Sequence, residues 1–208
     1  MHYTKQDILE WDRILRLKII NSVTGFKPAN LIGTVGKNGV TNLAIFSSVV
    51  HLGSRPALLD LIARPRTEDV GHTLENITQL GCYTINHIHP EHTQQAHYTS
   101  AKFSPSVSEF EACSFTEEYI NDFKAPYVQE SQFKIGMTFL QTIDLPNGTS
   151  LVIGEIEHLI LPDIDLNDGD LDLEKNNSVG ISGLNSYYEL RKIAQHAFAR
   201  VSEIPFKQ

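Results

Sequence analysis

The stretch ANLIGTVGKNGVTNLAIFSS, residues 29–48, holds two β-rich runs on either side of Asn38 and Gly39. An Asn-Gly pair between such runs is a strong short-range signal for a β-hairpin whose two turn residues both adopt positive φ. The sign recurs downstream, where 133–144 and 150–161 flank Pro146, Asn147 and Gly148. Two further apolar runs, ALLDLIA (57–63) and CYTIN (82–86), read as strands.

Helical patterns surround these strands. Residues 4–23 open with Thr4 and Asp7 at capping-box spacing, continue with an apolar stripe of Ile8, Trp11, Leu15 and Ile19, and stop before Gly25 and Pro28. A short helix is expected over 69–80, with Gly81 just past its end. Residues 89–112 are polar and irregular, consistent with short helices and loops. An amphipathic helix is expected over 185–201, with Tyr188, Ile193, Ala197 and Val201 on or near one face. Strands joined by hairpins, without regular β-α-β-α alternation, point to a mainly β fold: a closed or partly closed antiparallel barrel with peripheral helices. No linker or repeat interrupts the chain. The expectation is one domain over 1–208, with a barrel core at about 24–162 and terminal helices at 4–23 and 185–201.

The 208 residues carry 17 Lys+Arg against 25 Asp+Glu, for a net charge of −8. That balance argues against a general nucleic-acid binder, which needs a phosphate-neutralising face. Six of the 25 acids fall in 163–174 with no base among them, so the rest carries 19 acids against 17 bases and is close to neutral. No run approaches the 18 or more apolar residues needed to span a bilayer, so no membrane partner is expected. The polar first residues are unlike a secretory leader, and Cys82 and Cys113 read most simply as free thiols in a reducing cytosol. A cytoplasmic protein is expected.

Several motif-based chemistries are missing. There is no dinucleotide-binding glycine fingerprint, P-loop, zincin helix or nucleophile elbow. His87, His89, His92 and His97 cluster within eleven positions, but no Cys or carboxylate pattern accompanies them and Pro90 breaks the spacing, so no metal site is expected. Asp163, Asp165, Asn167 and Glu174 mimic a calcium-loop spacing, yet the turn glycine comes one residue late, which makes a solvated turn the better reading.

Residues 41–73 are more informative. The run TNLAIFSS ends in two hydroxyls, Arg64 and Arg66 follow the next apolar run, and His72 with Thr73 opens a helix. Hydroxyls, guanidinium groups and helix N-terminal amides supply the charge-assisted hydrogen bonds an anionic phosphate requires. Ordinary capping by Thr73 with two surface arginines explains the same residues equally well on local chemistry alone.

A wider pattern separates these readings. Asn38-Gly39, then NLAIFSS (42–48), the apolar run to Arg64 and HTLENI (72–77) follow one another in order. Then come AHYTSA (96–101), SEF (108–110), APYVQES (125–131), GEI (154–156), and Gly183 with Tyr187 and Tyr188. Taken together, over about two thirds of the chain, this order resembles the flavin reductase-like family of FMN-binding split barrels. It departs from the family at His72, where an Asp is usual, and at Ser182-Gly183 in place of Gly-Gly, with an upstream Arg missing.

The resemblance implies an antiparallel Greek-key split β-barrel that binds FMN at a homodimer interface. It implies that Asn42, Leu43, Ala44 and Phe46 meet the flavin ring. Ser47, Ser48, Arg64, Arg66 and Thr73 would take the ribityl and phosphate groups, and Thr99 and Ser100 would add polar contacts at the rim. The implied activity is transfer of electrons from NAD(P)H through bound FMN to free flavin or another small-molecule acceptor, with no acid–base side chain required. A flavin-binding carrier or sensor without turnover, and a ligand-free assembly module, are the alternatives.

Overall fold

The computed structural model describes residues 1–65, 72–162, 171–201 and 204. Its core is a seven-stranded antiparallel sheet built from β2 (Asn30–Val35), β3 (Thr41–Phe46), β4 (Val50–Ser54), β5 (Ala57–Ala63), β6 (Cys82–His87), β9 (Lys134–Asp144) and β10 (Ser150–Ile160). The strand order is β3-β2-β6-β9-β10-β5-β4, so the chain does not follow a simple meander. Mainly antiparallel β structure with peripheral helices is thus the observed class. β3 and β4 are the two edges, and no ladder joins them among the described residues. The opening between them is the split in the barrel.

Both anticipated hairpins form, with a different turn. Val35 pairs with Thr41, and within the turn only Gly39 has positive φ, at +78°. The Gly39 N–H donates to Gly36 O at 2.9 Å and the Asn38 side chain accepts from Val40 N–H at 3.1 Å. This is a type I turn followed by a left-handed glycine, which needs one residue of positive φ where the two-residue turn needs two. The β9–β10 hairpin repeats it with Gly148 at φ +80°.

Two hydrophobic clusters sit on opposite faces of the β2–β3–β6 wall. The inner one gathers Ile32, Leu61, Ile77, Tyr83, Ile85, Met137 and Val152. Ile77 belongs to α3 (His72–Leu80), which packs against β2, β3 and β6. The helix ends at Gly81, φ +80°, whose N–H reaches Ile77 O. Inside the barrel Tyr83 lies so close to β10 that a Cβ on Gly154 would stand 2.6 Å from its hydroxyl. The outer cluster holds Leu31, Leu43, Ile88, Ala96, Phe110, Val128 and Ile181. It is covered by α4 (Thr93–Tyr98), α5 (Glu109–Ala112), the short β8 (Tyr127–Val128), which pairs β7 (Glu117–Glu118), and β11 (Val179–Ser182). Cys82 and Cys113 are both free and buried.

The termini depart from the sequence reading. The expected helix over 4–23 is two helices, α1 (Lys5–Glu10) and α2 (Arg13–Ser22). Asp12 separates them by capping α2 through hydrogen bonds from the amides of Ile14 and Leu15. The capping box of Thr4 and Asp7 does form. No residue of either helix is buried.

The expected helix over 185–201 is absent. Residues Ser186–Glu189 are strand β12, paired with β11, which also pairs β1 (Lys27–Pro28). Residues 190–200 run on without regular structure, with Ile193 and Phe198 exposed at 92% and 89%. A short helix in water depends on packing its apolar face, and this chain alone offers these side chains no surface. No described helix is long and apolar enough to cross a membrane.

Candidate functional site

The split exposes the outer edge of β3. In an antiparallel ladder successive residues alternate between facing the partner strand and facing away. Leu43 faces away: its N–H leaves β2 and donates to Glu109 Oε2 at 3.1 Å. Ile45, two residues on, presents its N–H to the same open side. Ser48 fastens the neighbouring segment to β5, its hydroxyl accepting from Ile62 N–H at 3.0 Å and donating to Ile62 O at 3.4 Å.

A cavity of about 370 Å³ lies between this edge, the end of β5, the start of α3 and the α4–α5 segment. Of the eleven residues singled out from sequence, nine line it: Asn42, Ala44, Phe46, Ser47, Ser48, Arg64, Thr73, Thr99 and Ser100. Leu43 points its side chain into the outer core and offers only its backbone. Arg66 lies outside the described residues, as do Asp163, Asp165 and Asn167 of the acidic segment. Among the described residues no cluster of His, Cys, Asp or Glu could hold a metal ion.

The polar groups of the cavity differ in how far they are already committed. Asn42 is buried and its amide donates to Thr73 Oγ1 at 3.3 Å. Thr99 and Ser100 donate to the carbonyls of Ala96 and His97, at 2.8 and 2.7 Å, closing the last turn of α4. Their hydroxyl protons are spent, so toward a ligand they offer lone pairs. Arg64 is exposed and has no hydrogen-bond or ion-pair partner among the described residues. His72 also lines the cavity, and its buried Nε2 has no partner among the described residues.

Two wall residues were not singled out beforehand. His72 enters the sequence reading as the opening of a helix and as a departure from the family pattern, and Glu109 as part of SEF. Glu109 is 6% exposed, and burial pushes its carboxyl above the usual carboxylate range, while the amides of Leu43 and of Glu109 itself pull it back. The signal that would find Glu109 is an acidic residue opening a short helix beside an apolar Phe110, but its reach to Leu43 spans 66 positions.

The donor set fits a flavin nucleotide. An open strand edge suits the rim of a planar heteroaromatic ring, and a guanidinium and an imidazole nitrogen without partners among the described residues, together with the first turn of α3, suit a terminal phosphate.

Solved structures share this architecture. A split-barrel protein of Shewanella frigidimarina NCIMB 400, ascribed to the flavin reductases, is 45% identical with a TM-score of 0.91, covering 96% of this chain and 100% of that one. Nitrilotriacetate monooxygenase component B from Bacillus cereus has the same fold at 17% identity, with a TM-score of 0.83 and coverage of 94% and 98%. A curated but uncharacterised protein of Aquifex aeolicus (strain VF5) is 25% identical over 126 residues, and the match spans 60% of this chain and 64% of that protein. The sequence profile of the flavin reductase like domain matches residues 26–173, which hold the whole barrel and most of the cavity wall, and by that match the chain belongs to the flavin reductase like domain family.

Proposed function

We propose that the protein binds FMN in this cavity and carries electrons from a reduced nicotinamide nucleotide to free flavin or another small acceptor. The observation that carries the reading is the convergence of the unpaired β3 edge with Arg64, His72 and Thr73 on one cavity. Bound flavin supplies the redox chemistry, accepting a hydride from the nicotinamide and gathering negative charge at its pyrimidine end. The chain's own residues bind and orient. The Ile45 N–H, fixed by the ladder on the open edge, would donate to the flavin ring without reorganisation. Asn42 and Thr73 hold each other in place at the junction of β3 and α3. Arg64, His72 and Thr73 would receive the phosphate, and among the described residues nothing in the cavity offers a second nucleotide-binding motif, which favours FMN over FAD.

A homodimer completes the reading. A small barrel filled with side chains has no interior room for a flavin, so the ring lies on the outer wall, where a second subunit covers it and excludes water. The exposed apolar residues of α2 and of 190–200 support such a partner.

The test is spectroscopic. Apoprotein titrated with FMN and with FAD should bind FMN more tightly, and anaerobic NADH or NADPH should bleach the bound flavin. Tighter binding of FAD would sink the cofactor assignment. Flavin that binds yet resists both nucleotides would leave a carrier.

A further inference from the structure

We propose that Glu109 is the proton-holding group of the electron-transfer site: its carboxyl takes up one proton from solvent when negative charge arrives on the bound flavin and releases it when that charge leaves. The inference rests on the flavin reading above and assigns the charge compensation to one side chain.

The geometry is specific. Glu109 opens α5 beneath the β3 edge, 6% exposed, and lines the same cavity as Asn42, Ala44 and Phe46. Oε2 is fixed by the Leu43 N–H at 3.1 Å, which leaves Oε1 as the oxygen that gains and loses the proton. No described cation forms an ion pair with it. A buried carboxylate with no described cation beside it takes up a proton more readily than an exposed one, and burial pushes this one upward.

The surroundings do not substitute for it. β3 brings no ionisable side chain. Cys113, just past α5, is itself held protonated by burial and by the Glu109 charge. Glu117 of β7 is turned to Thr41, whose hydroxyl donates to it at 2.6 Å and accepts from Ser108 at 2.6 Å. Arg64, just past β5, and His72, at the start of α3, also reach the cavity.

The step balances. Two electrons enter the flavin with the hydride that the reduced nicotinamide gives up, leaving one negative charge on the ring. One proton from solvent then forms the O–H bond at Oε1. On reoxidation that O–H bond breaks and the proton returns to solvent. The net charge of the cavity is the same before and after.

The experiment measures binding. Dissociation constants for oxidised FMN and for dithionite-reduced FMN are determined between about pH 5.5 and 7.5 for the unaltered protein and for Glu109→Gln, whose amide oxygen can still accept from Leu43. The unaltered protein should lose preference for reduced over oxidised FMN by about ten-fold more across this range than the variant does. The flavin's own titration contributes equally to both proteins. Identical pH profiles would overturn the inference while leaving the flavin reading intact; failure of both to bind oxidised FMN would overturn the reading and the inference together. If the variant does not fold, the reduced-minus-oxidised infrared difference spectrum of the unaltered protein decides. A new protonated-carboxyl band supports the proposal, and its absence overturns it.

Discussion

Replacing Arg64 with Ala removes a guanidinium that no described side chain holds, so the loss falls on the ligand and not on the fold. A charge-assisted hydrogen bond contributes about 1.5–3 kcal/mol, so FMN affinity should drop roughly ten- to a hundred-fold with thermal unfolding unchanged. Equal affinity in a well-folded variant would reduce Arg64 to a surface charge. Residue chemistry of this kind was legible in advance because hydroxyls and guanidinium groups flanking strand ends announce themselves locally. Glu109 and His72 were not, because what sets them apart is burial and a missing partner, and both are produced by segments meeting across the fold. Two hydroxyls expected to serve a ligand, those of Thr99 and Ser100, turn out to satisfy α4 carbonyls, so capping and cavity lining coexist in the same side chains.

The β2–β3 hairpin depends on Gly39, whose φ of +78° strains any residue with a Cβ even though nothing stands within 4 Å of that position. Gly39→Ala should therefore cost about 1–2 kcal/mol through backbone strain alone, read as a lowered urea midpoint with an unchanged slope. A variant as stable as its parent would mean the turn relaxes into another type.

Elements with a strong period or a turn signal were visible in sequence: β2, β3, β5, β6, β9, β10 and α3 all fall close to their expected positions. β4 was missed because VHLGS (50–54) is an edge strand with little buried face, leaving no alternation to read. The two-residue strands β1, β7 and β8 are too short to carry a pattern. The helix expected over 185–201 failed for the opposite reason. Its apolar spacing is real, but the pairing of β12 with β11 claims its first residues, and the rest finds no core.

At the scale of the whole molecule, acid should weaken the fold through His87. The ring packs at a tilt against Phe133, its Nδ1 lies 3.2 Å from Ser178 Oγ, and burial lowers its pKa to about 4. An unfolded histidine titrates near 6.5, so between about pH 6.5 and 4 the unfolded chain binds the extra proton. The stability contribution is present above that window and lost as pH falls through it, by up to about 3 kcal/mol. Urea midpoints at pH 7.5 and 4.5 measure the loss. His87→Gln should flatten part of it, and an unaltered pH slope in that variant would exonerate His87.

Association is the second property of this scale. Light scattering during dilution should find a dimer at micromolar concentration, held to lower concentration by FMN, because a ligand bound only in the assembled state stabilises it by mass action. A monomer that still binds FMN stoichiometrically would overturn the shared site.

The unpaired edges of the sheet also matter before any ligand arrives. β3 keeps an open edge beside Ile45, and β4 leaves Val50 and Leu52 exposed at 55% and 44%. An apolar strand edge without a lysine or proline to blunt it is a template on which another chain can add a strand. On the proposed reading, a newly made polypeptide therefore competes between loading FMN and sticking to its siblings. Vitamin supply during expression becomes a determinant of yield: turbidity on warming should develop sooner in nucleotide-stripped preparations than in loaded ones, and cells starved of riboflavin should deposit more of the protein in inclusion bodies.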